Sequence, residues 1–418
     1  MGKIILTFSM LFLSLPLCAQ APRLWVLRGS EMAEYDPATF AAKATVKVPA
    51  EASRSPQNFQ VNRLGQMLFE TPASVPLSEE DAKAPHKVWF WDGHTASTLD
   101  QAVSRRNATQ GSNLIITEWA PTAYLAADGT HLFWFANEAR RLQREGVDLS
   151  TTTTWQAWQT DLAGGNKVDI ASHKFSDCRC STGSCEESCP YGEVWIPPTG
   201  LGTFFLVTSL VTGQTGTSYE SSSRYVPAQP TWSPNPLDQP LERVLDANAD
   251  GTAILNAIPD SGCCGWANES DDQLLLVSEE KKTTLFDERA SYNNPDYDVS
   301  FYTANAALSP DGTHVAMTVA ATSSAEKPIQ LADEGQANPD ESSRIRKGLT
   351  ELPGVEVKKL GESASRVAFV PHANFVGWVS DKEILLVQER VLVGYNVTTG
   401  VKRKSTIRVP DAEHVFVR

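Results

Sequence analysis

The chain has 418 residues, of which 41% are apolar and 21% charged, and 50 acidic against 36 basic side chains leave a formal net charge of −14. That balance belongs to a globular protein rather than a disordered one. The sequence carries no continuous basic stripe to neutralise a phosphate backbone, so nucleic acid is not an expected partner, and the negative charge argues against docking on an anionic membrane surface.

The first residues read as a targeting segment. Lys3 gives a short positive start, and Ile4 to Leu17 is an uncharged apolar run. Cleavage after Ala19 assigns residues 1–19 to a signal peptide and 20–418 to the mature domain. Cleavage after Ala21 also fits the spacing but leaves Pro22 next. Cys18 as a lipid-attachment site is disfavoured by the bulky Leu17 before it. No later apolar stretch approaches the ~18 residues of a spanning helix. The mature chain is therefore expected to be exported, periplasmic or secreted, with no transmembrane segment.

Of the seven cysteines, six remain in the mature chain: Cys178, Cys180, Cys185, Cys189, Cys263 and Cys264. An even number in an exported protein reads as disulfides. The competing reading is a metal knot at Cys178–Cys189, although zinc pairs favour C-x2-C spacing. Cys263 and Cys264 are adjacent, so a mutual bond would be strained and each is expected to reach elsewhere.

Along the chain one pattern recurs: an apolar strand, a tight turn ending in Gly, and a second apolar strand. It occurs at 60–69 (QVNRLGQMLF), 123–135 (AYLAADGTHLFWF), 244–255 (VLDANADGTAIL) and 306–317 (AALSPDGTHVAM). The turn glycines Gly65, Gly129, Gly251 and Gly312 are separated by 64, 122 and 61 residues, so the middle gap holds two periods. A fifth copy fits at 193–209, and a sixth, without the glycine, at 376–388. Gly supplies the positive φ that such hairpin turns need. Second hairpins follow at 88–98, 155–170, 274–286 and 393–409. Two hairpins make a four-stranded sheet, and sheets repeated at a fixed period are the signature of a β-propeller.

The ends complete the pattern. Leu24 to Val48 reads as three strands with no opening strand, and His414 to Arg418 reads as one strand with no partner. The expected fold is all-β: a β-propeller of seven four-stranded blades, the C-terminal strand completing the N-terminal blade, with six or eight blades as alternatives. Seven blades leave about 57 residues each, more than the ~40–45 of compact repeats, so the excess lies in insertions. The segment Leu308-Ser309-Pro310-Asp311-Gly312-Thr313 resembles the signature of TolB-type propeller repeats, with weaker echoes at 127–130 and 249–252. The resemblance implies a propeller and leaves function open: propellers of this kind serve as periplasmic scaffolds, and others precede peptidase domains.

Strand direction alternates within a blade, so connections sort by parity onto two faces. The short turns fall on one face. The long insertions fall on the other: 71–87, 137–153, 260–272 and 321–343 within blades, and 100–121, 172–191, 227–242 and 287–300 between them. Loops of that length are usually functional or disordered. Binding candidates on this face are Trp119, Trp266, Tyr292 and Tyr297 with Arg140, Arg141 and Arg144, since tryptophan and arginine anchor interfaces. The segment from Asn137 is expected to make one or two helical turns.

Asp246-x-Asn248-x-Asp250-Gly251 matches the start of a calcium loop, although Ala257 stands where the bidentate Glu belongs. The same residues overlay the repeated hairpin turn, and no cofactor is otherwise implied. His131 and His314 share one repeat position just after the turn, which indicates a structural role. G-x-S-x-G is lacking. The resulting expectation is a non-catalytic exported propeller that binds a protein or glycan partner through its loop-rich face. The alternative is a propeller hydrolase or lyase with acidic or metal-bound groups at the central channel.

Overall fold

The computed structural model describes residues 22–50, 57–62, 64–72, 86–99, 106–110, 114–118, 122–126, 129–144, 147–178, 187–195, 204–212, 217–226, 229–234, 243–248, 252–258, 273–278, 281–287, 299–323, 351–361, 363–409 and 414–417.

Strands β1 (Leu24–Arg28), β2 (Glu31–Tyr35) and β3 (Ala42–Lys47) come first. A four-stranded sheet follows from β4 (Gln57–Val61), β5 (Met67–Pro72), β6 (His86–Trp91) and β7 (Ala96–Leu99). Next, β8 (Arg106–Gln110), β9 (Leu114–Glu118), β10 (Thr122–Leu125), β11 (His131–Arg144), β12 (Val147–Asp161) and β13 (Val168–Cys178) build a six-stranded sheet. Three more four-stranded sheets are β14 (Glu187–Trp195) to β17 (Gln229–Pro234) through β15 (Phe204–Thr212) and β16 (Thr217–Val226); β18 (Arg243–Ala247), β19 (Ala253–Ile258), β20 (Gln273–Ser278) and β21 (Lys282–Asp287); and β22 (Val299–Leu308), β23 (His314–Ser323), β24 (Gly354–Lys359) and β25 (Ser365–Pro371). The last of these series is β26 (Ala373–Ser380), β27 (Glu383–Gln388), β28 (Val391–Asn396) and β29 (Lys402–Arg408).

The chain is closed by β30 (Val415–Val417), which pairs antiparallel with β1 in the register Leu24↔Val417, Trp25↔Phe416, Val26↔Val415. The order β3-β2-β1-β30 makes a four-stranded blade from both ends of the chain. The protein is an all-β propeller, but among the described residues it has six four-stranded blades rather than the expected seven. The strands expected to form the remaining one belong instead to the six-stranded sheet. There β11 continues past the four residues that β10 pairs, and β9 takes over the same edge of β11.

Apolar faces pack blade against blade. Leu24 and Val26 of β1 meet Leu385, Val387 and Leu392 of the preceding blade, while the opposite face of β1, with Trp25 and Leu27, packs with Met67, Phe69 and Trp91 of the following one. Alternate residues of one strand thus serve two interfaces, as the period of two requires. Burial of each large side chain contributes about 1.5–3 kcal/mol.

Polar side chains tie neighbouring blades at fixed points. Gln60 donates to the Ala123 carbonyl at 3.0 Å and accepts from the Leu125 amide at 2.8 Å. The Phe375 amide donates to the buried Thr318 hydroxyl at 2.9 Å, and Trp378 Nε1 donates to the Ala307 carbonyl at 3.0 Å. Left unmade, each such buried group would cost ~1–3 kcal/mol.

The repeated turn owes its form to its own side chains. Asp311 Oδ1 accepts from Ser309 Oγ at 2.6 Å, from the Thr313 amide at 3.0 Å and from Thr313 Oγ1 at 2.8 Å. Desolvation acts most strongly on this carboxyl and raises its pKa, but the Ser309 and Thr313 donors together outweigh it and hold the pKa below the ordinary value. Asp36 and Asp92 are lowered in the same way, led by the backbone amides of Thr39 and Thr95. Thr313 Oγ1 lies 2.8 Å from His314 Nδ1, and Thr130 Oγ1 lies 2.6 Å from His131 Nδ1. Both histidines therefore sit at one structural position of the repeat.

Candidate binding face

The two faces differ as chain parity requires. Tight turns at 62–66, 126–130, 309–313 and 381–382 join first and second strands, and turns at 92–95, 161–167 and 396–401 join third and fourth strands on the same side. The second-to-third connections leave from the other side. There β11 and β12 run on as a hairpin arm. The stretch of β11 from 136 to 144 lies beyond the β10 pairing, which is roughly 30 Å at about 3.3 Å per residue.

This arm corrects the reading of 137–153 as a loop with helical turns. Fourteen residues, His131–Arg144, form one strand, and the register runs from His131↔Asp161 to Arg144↔Val147 with one irregularity at Leu142/Gln143. The sequence held the signal: Thr151 to Thr154 is a β-branched run suited to a strand. Glu145-Gly146 between Arg144 and Val147 is a two-residue hairpin pattern. The segment 100–121 likewise contains β8 and β9, paired from Arg106↔Glu118 to Gln110↔Leu114. Gly111-Ser112-Asn113 between them is turn chemistry that sequence reasoning passed over. The arm is therefore a sheet of β8, β9, β11 and β12, with β13 following β12 as far as Cys178 opposite Thr151.

The strand fixes where the arginines fall in the ladder. Arg140 and Arg141 are successive strand residues, paired with Thr152 and Thr151 on β12 and with Ile116 and Ile115 on β9. These are ladder positions of one continuous strand, in place of the helical turns expected there. Arg144 lies at the tip, beyond the register shift, opposite Val147.

Trp119, Trp266, Tyr292 and Tyr297 lie outside the described residues, as do Cys180, Cys185, Cys263, Cys264 and Asp250. Cys178 ends β13 and Cys189 lies within β14.

Of the calcium candidates, Asp246 is fully buried, and its Oδ2 accepts from the Leu308 amide of the next blade at 2.8 Å. Asn248 shapes its own turn: Oδ1 accepts from the Ala253 amide at 2.9 Å and Nδ2 donates to Thr252 Oγ1 at 3.0 Å. Both side chains are thus aimed at structural partners rather than at a common point. Among the described residues no three His, Cys, Asp or Glu side chains are grouped to hold a metal ion, and no helix is long and apolar enough to cross a membrane.

No family model matches this chain, and no curated protein matches it. Solved structures similar to it include the β-propeller domain of the Trilobed protease from Pyrococcus furiosus, with 11% identity, a TM-score of 0.41, and 90% of this chain and 87% of that one covered. The Pyrococcus horikoshii acylaminoacyl peptidase is 12% identical with a TM-score of 0.41 over 90% of this chain, which spans 48% of that enzyme. TolB from Acinetobacter baumannii is also among them, at 10% identity and a TM-score of 0.34, with 94% of this chain and 81% of that one covered.

Proposed function

We propose that the protein is a non-catalytic, exported binding module that holds a protein or glycan partner on the face bearing the β11–β12 arm. The observation that carries this reading is the asymmetry of the propeller: tight, self-bonded turns on one face, and on the other a hairpin that continues far past its blade and recruits β8 and β9 to its edge. Extending a sheet orders about ten further residues per strand at an entropic cost of roughly 1–2 kcal/mol each. A hairpin extended in this way offers an ordered surface on which a partner can rest. Export is supported by Lys3 and the apolar run from Ile4 to Leu17.

The test is to replace residues 139–153 with Asn-Gly, which joins Glu138 to Thr154, a register pair already opposed in the arm. The β10–β13 core of the blade remains, so the melting temperature is expected to stay within a few degrees. Recovery of partners from envelope extract is expected to fall at least tenfold relative to wild type. Unchanged recovery with unchanged folding overturns the reading.

Export also carries the six mature cysteines into an oxidising compartment, where we expect them to pair. Thiol titration of the denatured, unreduced protein should find no free thiol. A full complement of six would refute the pairing.

A further inference from the structure

We propose a second binding site, independent of the arm: the cleft between the closing blade and the β26–β29 blade takes an acidic peptide in extended conformation. The cleft has a volume of about 560 Å³ and is lined by Arg28, Tyr35, Phe40, Ile407 and Arg408, among others. It lies where the core shared by Leu24, Val26, Ile407 and Val409 opens to the outside of the propeller.

Three observations point to this ligand. The first is charge. β3 and β29 flank the cleft, and between them they carry Lys43, Lys47, Lys402, Arg403, Lys404 and Arg408 with no acidic residue. In a chain of net charge −14 this is a local reversal of sign. It is invisible as a sequence stripe because the two strands lie at opposite ends of the chain. Arg28 and Arg408 are exposed, and neither is paired with a carboxylate among the described residues; Arg28 lies 5.9 Å from the Tyr35 ring. The second is backbone. β3 and β29 are the terminal strands of their sheets, so among the described residues each has an edge with no paired strand, to which an extended peptide can add. The third is strain. Phe40, a bulky residue, is held at φ +60, a region that costs non-glycine residues roughly 1–2 kcal/mol. Its ring is fixed beneath Arg403, whose Cζ lies 4.1 Å from the ring centroid, while Arg403 Nη2 donates to the Pro37 carbonyl at 2.9 Å and pairs with Glu383. Strain of this kind persists where surrounding contacts hold it, and it clusters at binding sites.

Carboxylates alternating along a strand would meet the guanidinium groups on one side, while the intervening residues face the Tyr35 and Phe40 rings. Two acidic groups stand close by: Asp36 pairs with Lys43 at 3.6 Å, and Glu31 is directly opposite Arg28 in the β-ladder without an ion pair to it among the described residues, so an incoming carboxylate competes with Glu31 for that guanidinium.

The experiment measures fluorescence anisotropy of a labelled peptide alternating Glu and Thr, with wild type and with Arg28→Ser/Arg408→Ser. Both arginines are exposed, so the variant is expected to melt with wild type. Loss of two charge-assisted contacts should weaken binding about tenfold or more, and affinity for the wild type should fall with added salt. Three results overturn the proposal: equal affinity of the variant, equal affinity for a Gln-Thr peptide, or binding to phosphatidylglycerol vesicles with none to the peptide.

Discussion

Replacing Phe416 with alanine is expected to lower stability by about 3–5 kcal/mol, as for other large-to-small changes in a packed core. Phe416 is 8% exposed and sits opposite Trp25, with its ring 5.3 Å from Phe59. It joins Met32, Met67, Phe69 and Trp91 in one cluster, so a single side chain on the last strand serves both the closing blade and the blade after it. The expected loss is a large part of the ~5–15 kcal/mol typical of a whole domain. Truncation before Val415 should do more, because it leaves the β1 edge unpaired and the apolar residues Leu24 to Leu27 uncovered. Urea titration followed by tryptophan fluorescence reads both. Phe416→Ala should shift the midpoint at constant slope, whereas the truncation should lose the single transition or associate through its open edge. A truncated chain that unfolds at the wild-type midpoint would show that closure contributes nothing.

Gly65→Ala is expected to cost about 2–5 kcal/mol, combining left-handed strain with overpacking of a core. Gly65 has φ +77, and a Cβ built there would lie 2.5 Å from Cη2 and 2.6 Å from Cζ2 of Trp25. Trp25 cannot withdraw, since it is buried in the cluster with Phe416. The control is Gly312→Ala, at the equivalent turn of another blade, where φ is +68 and a Cβ meets nothing within 4 Å. That variant should show only the backbone term, about 1–2 kcal/mol. The difference between the two melting shifts isolates the contact between the β4–β5 turn and the closing blade. Equal shifts would show that Trp25 yields.

Much of the fold was legible in the sequence because its signals are local. Asp-Gly turns between alternating strands located the hairpins around Gly129 and Gly312, and the odd strands at the two ends located the closure. The β24–β25 hairpin was missed because its turn, 360–364, lies outside the repeated motif, although Val355 and Val357 alternate as a strand should. The arm was missed for a different reason. Polar residues such as Asn137, Glu138 and Arg140 look like loop in a periodicity argument, because the stretch lacks the apolar alternation by which a half-buried strand is read. The candidate site was legible only as a face. Chain parity gave its side of the molecule, but the ladder positions of Arg140 and Arg141 depended on helix against strand. The basic cleft was not read, although the closure was: its lining comes from 28–42 and 406–408, and no single stretch of sequence shows those charges together.

That pairing also governs how the molecule is made. β1 is among the first strands to be synthesised, and its inner edge stays open until Val415–Val417 follow nearly 400 residues later. During that interval an apolar strand is available to any other strand nearby, whether from a second nascent copy or from the wrong blade. Biosynthesis therefore places the greatest hazard of misassembly on the segment that, once the ring is shut, is among the best buried in the protein.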